Sequence, residues 1–200
     1  MGNVVALGPQ VADDGQPPRH KRLQTRSRLL AHVVTVLLGG VLLFNGVILA
    51  LGALSHAALS MGPDATYLGD PPPGLSGIVP FGSLPLPTRL AYAATLVLDT
   101  APPVLFALAN LRGLLQLYAA GVVFAAENGA RIKRIGLGLV AYAVAPFLGH
   151  ELVALAGQGV DLAWFHASEA QAVVLGAILF VIAQVMEVGQ EIEQDRDGFV

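Results

Sequence analysis

The sequence predicts an all-α integral membrane protein, a four-helix bundle with both termini on the cytoplasmic side. Three observations carry this prediction. Charge is scarce: 12% of the 200 residues are Asp, Glu, Lys or Arg, 54% are hydrophobic, and the mean hydropathy is +0.66. A soluble domain carries about a quarter charged residues, whereas helices facing lipid need almost none. The apolar residues are gathered into four runs of spanning length, about 20 helical residues being enough to cross the hydrocarbon core. Finally, nearly all Lys and Arg fall in segments that an even number of crossings places on one side, and cationic segments are retained in the cytoplasm during insertion.

Composition also excludes classes of function. The formal net charge of −3 gives no basis for direct nucleic-acid binding, and the absence of Cys rules out disulfides, thiolate catalysis and Cys-ligated metal. No catalytic residue, cofactor or metal is expected, and the chain is not read as an enzyme.

Residues 1–28 are polar, with scattered Gly and Pro, and end in Arg19, Lys21, Arg22, Arg26 and Arg28. They read as a disordered basic cytoplasmic arm, either a topology signal alone or one that also touches anionic headgroups. Ala6 stands where a myristoylation site requires Ser or Thr. Residues 29–200 form the four-helix domain. Its first span, residues 29–54, is too long for the roughly 7–15 apolar residues of a signal peptide. Asn45 is its one strongly polar residue near mid-depth, and Gly46 with Ala50 form a small-residue pair that admits a close neighbour.

The outer loop, residues 55–88, is rich in Pro and Gly and contains no Lys or Arg. No long helix or central strand is expected in it, and mobility is the first reading of so long a connection. The second span, residues 89–111, holds Asp99, Thr100, Pro102 and Pro103. Asp99 lies about ten residues, or about 15 Å, from the outer end. Asn45 is at a similar depth, which places the two within reach of a hydrogen bond across a helix interface. A carboxylate there costs about 2.5–3.5 kcal/mol on insertion scales, so it should face protein or water or carry a proton. Two readings stand: a proton or cation site formed by Asp99, Asn45 and Thr100, or a structural hydrogen-bond partner beside the Pro-Pro kink.

The second helix continues through Arg112, Gln116 and Tyr118 into a cytoplasmic turn, residues 112–134, whose core is Gly-Val-Val-Phe-Ala-Ala-Glu-Asn-Gly-Ala-Arg-Ile-Lys-Arg-Ile-Gly at 121–136. Glu127, Asn128, Arg131, Lys133 and Arg134 cannot hide in lipid. The third span, residues 135–156, carries Pro146 and a small-residue stripe, Ala141, Ala145 and Gly149, expected to make a tight helix contact. After a short outer loop, where Trp164 and Phe165 suit the headgroup level, Ser168 and Gln171 have the spacing of a capping box opening the fourth span, residues 169–190. Gln184, Glu187, Glu191 and Gln194 share one face as that helix leaves the membrane, and the acidic end, with Glu193, Asp195 and Asp197, is placed to meet Arg131, Lys133 and Arg134 or to stand in solvent.

The basic turn with its approach, and the closing run from Val181 to Val200, resemble the two signatures of the bacterial membrane family labelled domain of unknown function 2975. Gly121, Phe124, Asn128, Ile132, Arg134, Ile135 and Gly136 fit the first signature; Gly189, Glu191, Asp197 and Val200 fit the second. The likeness covers residues 99–200, and the ending Asp197-Gly198-Phe199-Val200 departs from the usual finish. It implies a four-helix inner-membrane protein, often encoded beside a small helix-turn-helix regulator, and it carries over no catalytic residue.

Three functions follow for weighing. The first is a regulatory or accessory protein of the bacterial inner membrane that engages a cytoplasmic regulator protein through Arg131, Lys133, Arg134, Glu187 and Glu191. The second is a small ion- or proton-coupled transporter built on Asp99, Asn45 and the Pro-broken helix. The third is a membrane enzyme or haem protein. Bis-His haem is disfavoured because His32 lies near the inner side and His150 near the outer, and an outer metal site from His56, His150, Glu151 and His166 matches no zinc spacing. Contact with the lipid bilayer is common to all three, and homo-oligomerisation is left open.

Overall fold

The computed structural model describes residues 18–54, 59–61, 66–68, 79–123, 125–155 and 167–197. Four helices account for most of them: α1 (Pro18–Leu54), α2 (Leu86–Ala119), α3 (Ala126–Leu155) and α4 (Ala167–Asp197). Each is long and apolar enough to cross a membrane. The protein is an all-α, multi-pass membrane protein, and its exposed apolar side chains belong in lipid. Val36 is 74% exposed, Leu43 71% and Val185 66%, a state that costs free energy in water and nothing in hydrocarbon.

The helices overrun the spans read from hydropathy. With 34 residues, α2 is about 50 Å long at 1.5 Å per residue, against about 30 Å of hydrocarbon. Its ends therefore project into the interface, and the polar residues there continue the helix instead of ending it. Two expectations are corrected on this ground. Residues 18–28, read as disordered, form the first turns of α1; residues 1–17 lie outside the described residues. In the turn placed at 112–134, α2 continues to Ala119 in line with the expected continuation through Tyr118, but α3 already begins at Ala126, so only residues 120–125 separate the two helices.

That reversal is built by two devices. Gly121 adopts φ +85°, a left-handed conformation that a Cβ would strain. Around it the Gly121 N–H donates to the Tyr118 carbonyl (3.1 Å) and the Val122 N–H to the Leu117 carbonyl (2.9 Å), which satisfies the last carbonyls of α2 in a Schellman arrangement. Asn128, fully buried, then donates its side-chain amide to the carbonyls of Val122 (3.0 Å) and Val123 (2.7 Å), tying the connection to the first turn of α3.

In the connection between α1 and α2, β1 (Leu59–Met61) pairs antiparallel with β2 (Thr66–Leu68) and with β3 (Val79–Pro80), so a small sheet with β1 at its centre stands where no central strand was expected. Pro80 sits on an edge strand, where its missing N–H costs no ladder bond. Residues 55–58, 62–65 and 69–78 lie outside the described residues.

The four helices run up, down, up and down, and they pack in chain order. α1 lies on α2, α2 on α3 and α3 on α4, while α1 and α4 do not pack on each other. The edge helices touch the rest along narrow seams. On α1 the seam is Ser27, Ala31, Val34, Leu38, Val41 and Asn45; on α4 it is Ala172, Gly176, Leu179, Ala183, Met186 and Gln190. Both alternate steps of four and three, the spacing of a left-handed coiled-coil contact.

Candidate functional site

Two polar regions were expected, one at mid-membrane and one at the inner end. At mid-membrane, Asn45 of α1 is buried and meets Thr100 of α2. The Thr100 Oγ1 lies 3.1 Å from Asn45 Oδ1 and 2.9 Å from the Leu96 carbonyl, and Asn45 Nδ2 donates to the Val41 carbonyl at 2.8 Å. The expected partner of Asn45 was Asp99, and this is corrected. Successive residues on a helix point about 100° apart, so when Thr100 faces α1, Asp99 turns toward α3.

There the Asp99 carboxyl lies directly over the Gly149 backbone, so close that a Cβ on residue 149 would overlap it. Its Oδ1 is buried with no hydrogen-bond partner among the described residues. Below it Pro102 and Pro103 stay within a continuous α2. Lacking N–H groups, they leave the Leu98 and Asp99 carbonyls without helical donors. The arrangement is a buried carboxyl with two under-satisfied carbonyls nearby, all oxygen, at the α2–α3 contact.

Glycines set how closely the helices approach. Gly138 faces Ala107 and the Pro103 carbonyl of α2, while Gly136 and Gly176 of α4 oppose each other backbone to backbone. The stripe expected to do this is only partly right. Gly149 is buried against α2, but Ala141 is exposed. The Gly46–Ala50 pair of α1 is also exposed, and nothing stands within 4 Å of where a Gly46 Cβ would be.

At the end of the bundle that carries the α2–α3 turn, one pair of the charges read from the sequence meets. Lys133 Nζ bonds both oxygens of Glu187, at 2.7 and 2.9 Å, and so joins α3 to α4. Arg131 binds Glu127 one turn earlier on α3, with its Nη2 2.6 Å from Glu127 Oε1, and its guanidinium lies across Gly113 of α2. Arg134 and Glu191 are exposed and make no ion pair among the described residues. Arg112 donates from Nε to Thr35 Oγ1 at 2.9 Å, linking α2 to α1. Sequence reasoning missed this pair and the Asn128 clamp; Arg112 had been read only as a continuation of the helix. It also read Ser168 as a cap, but Ser168 lies within α4, where its hydroxyl bonds the buried Glu169 carboxylate at 3.1 Å.

The histidines do not converge. His32 is exposed and donates from Nδ1 to the Arg28 carbonyl (2.7 Å), which fixes its tautomer because a carbonyl can only accept. His150 and Glu151 lie at the far end of the bundle, and His56, Trp164, Phe165 and His166 fall outside the described residues. No group of three or more His, Cys, Asp or Glu side chains fit to hold a metal occurs among the described residues. Comparison with known protein families, characterised proteins and solved structures finds no match.

Proposed function

We propose that the chain is a regulatory or accessory protein of the bacterial inner membrane, with both termini in the cytoplasm, which engages a cytoplasmic regulator protein at the α2–α3 turn. One observation carries the reading: exposed charge is concentrated at a single end of the bundle, around a turn that is rigidly built. The Gly121 reversal and the Asn128 clamp hold the start of α3 in place. Arg131 and Lys133 are taken up by Glu127 and Glu187, which leaves Arg134 exposed without an ion pair among the described residues. A fixed turn presenting an uncommitted cation is a recognition surface, and truncated charges at such surfaces alter association rates and partner choice. The cytoplasmic assignment rests on the cations of α1, Arg112 and the α3 start lying at one end. The likeness to the membrane family, often encoded beside a regulator, supports the same reading.

The test is quantitative crosslinking and mass spectrometry on intact membranes carrying the wild-type chain or Arg134→Ala. A specific cytoplasmic protein recovered with the first and reduced severalfold with the second supports the proposal. Identical recovery from both discards it.

A second reading, a proton- or cation-coupled carrier, is favoured by the unpartnered Asp99 oxygen at the α2–α3 contact. Midplane carboxylates and Pro-broken helices are what such carriers use. Flux into proteoliposomes that vanishes in Asp99→Asn would establish it, and no gradient-dependent flux in the wild type would remove it.

A further inference from the structure

We infer that the chain associates edge to edge with a second copy of itself, α1 of one copy packing against α4 of the next. Such association is independent of the regulatory role. α1 and α4 are the two open edges, each using one seam inward and presenting the rest of its surface outward. The outward face of α1 runs through Val36, Gly39, Leu43 and Gly46, and the glycines leave it open to close approach, since among the described residues nothing from elsewhere stands within 4 Å of where a Cβ on either would be. The outward face of α4 includes Val174, Ile178, Val181 and Val185.

Charge selects which edges meet. Arg22, Arg26 and Arg28 on the inner end of α1 are exposed and have no ion pair among the described residues. Glu191 on the inner end of α4 is likewise exposed, and the chain continues through Glu193, Asp195 and Asp197. Within one chain α2 and α3 stand between α1 and α4, which share no contact seam, and no ion pair joins these charges among the described residues. A second copy in the same membrane orientation brings the basic edge to the acidic edge, whereas α1 against α1 or α4 against α4 juxtaposes like charges.

Depth agrees with this pairing. Thr35 is level with Arg112 and Gly136 with Gly176, and Ala107 with Gly138 links the two pairs. Carried along antiparallel helices, this register places Arg22 at the height of Glu191 and Val36 near Ile178. The contact also continues the up-and-down alternation of the row. Being heterologous, it leaves no open edge only when the copies close into a ring.

The chain has no Cys, so single cysteines can be placed at will. Two differently tagged copies are co-expressed, one Val36→Cys and the other Ile178→Cys, and oxidised in native membranes. The inference expects disulfide dimers carrying both tags, few when Val36→Cys is in both copies, and few when Ala50→Cys replaces Val36→Cys. Arg22→Glu with Arg26→Glu should cut the mixed dimer severalfold, and Glu191→Lys in the partner copy should restore it. Absence of the mixed dimer, or dominance of the Val36–Val36 product, overturns the inference. So does a yield indifferent to charge reversal, which would assign those cations to anionic headgroups. Stepwise photobleaching of the fluorescently tagged wild-type chain in membranes is an independent check: two or more copies per spot are expected, and one copy contradicts it.

Discussion

Replacing glycine by alanine has opposite consequences at two positions of this bundle, and the structure gives the size of each. A Cβ on Gly176 would sit 2.9 Å from the Gly136 carbonyl oxygen and 3.0 Å from Val140 Cγ2. Ordinary contact begins near 3.4 Å, so α3 and α4 must part by about half an ångström along that line. A gap of about 0.5–1 Å forfeits a quarter to a half of the dispersion well for each contact opened, and overpacking of this kind costs about 1–3 kcal/mol. The helix preference for Ala over Gly returns about 0.5–1 kcal/mol, which leaves Gly176→Ala destabilised by up to about 2.5 kcal/mol. Among the described residues, nothing from elsewhere stands within 4 Å of where a Cβ on Gly46 would be. Gly46→Ala therefore keeps only the propensity gain and should be more stable than wild type by about 0.5–1 kcal/mol. The assay is equilibrium unfolding in mixed micelles, followed by far-ultraviolet circular dichroism, at a chain-to-micelle ratio that keeps copies apart. If Gly176→Ala proved as stable as Gly46→Ala, the close approach of α3 and α4 would be refuted.

Further outcomes are expected in the same assay. Asn128→Ala should lose about 1–3 kcal/mol, because two carbonyls in the turn are left without their buried donor, and Asn128→Asp should lose at least as much by facing those carbonyls with an acceptor. A double-mutant cycle on Lys133→Ala and Glu187→Ala should give a coupling of only about 0.2–1 kcal/mol, since both side chains are about two-fifths exposed (39% and 43%); coupling of several kcal/mol would mean that the pair is sealed from solvent. Asp99→Asn should not lower stability, because its buried oxygen has no bond to lose, and a clear loss would reveal a structural partner.

Hydropathy made the four crossings and their order legible, because lipid selects for apolar side chains with little regard to their exact order. It did not reveal all the ends. Residues 18–28 lie inside α1 and Lys133 inside α3, as a helix leaving the hydrocarbon keeps its backbone bonds while its side chains become polar. Depth was legible for Asn45, Thr100 and Asp99, but the angle around the helix axis was not, and that angle decided that Thr100 takes Asn45 while Asp99 meets Gly149. A meeting of the basic α3 start with the acidic end of α4 was one of two readings; the contact seen joins Lys133 to Glu187, nearer the membrane, and the side chains of Glu193, Asp195 and Asp197 lie outside the described residues. The Asn128 clamp was not foreseen, because its acceptors at 122 and 123 come within reach only once Gly121 has reversed the chain. Small-residue spacing pointed to Ala141, Ala145 and Gly149, yet the α3–α4 approach falls at Gly136, since spacing defines a stripe without saying which neighbour faces it.

Both functional readings require four crossings that leave the cationic end inside the cell. Single cysteines at Arg134 and at Pro80, probed in intact cells with a membrane-impermeant maleimide, test this most directly. Labelling is expected at position 80 from outside, and at position 134 only after the membrane is permeabilised. Labelling of position 134 in intact cells would contradict that topology.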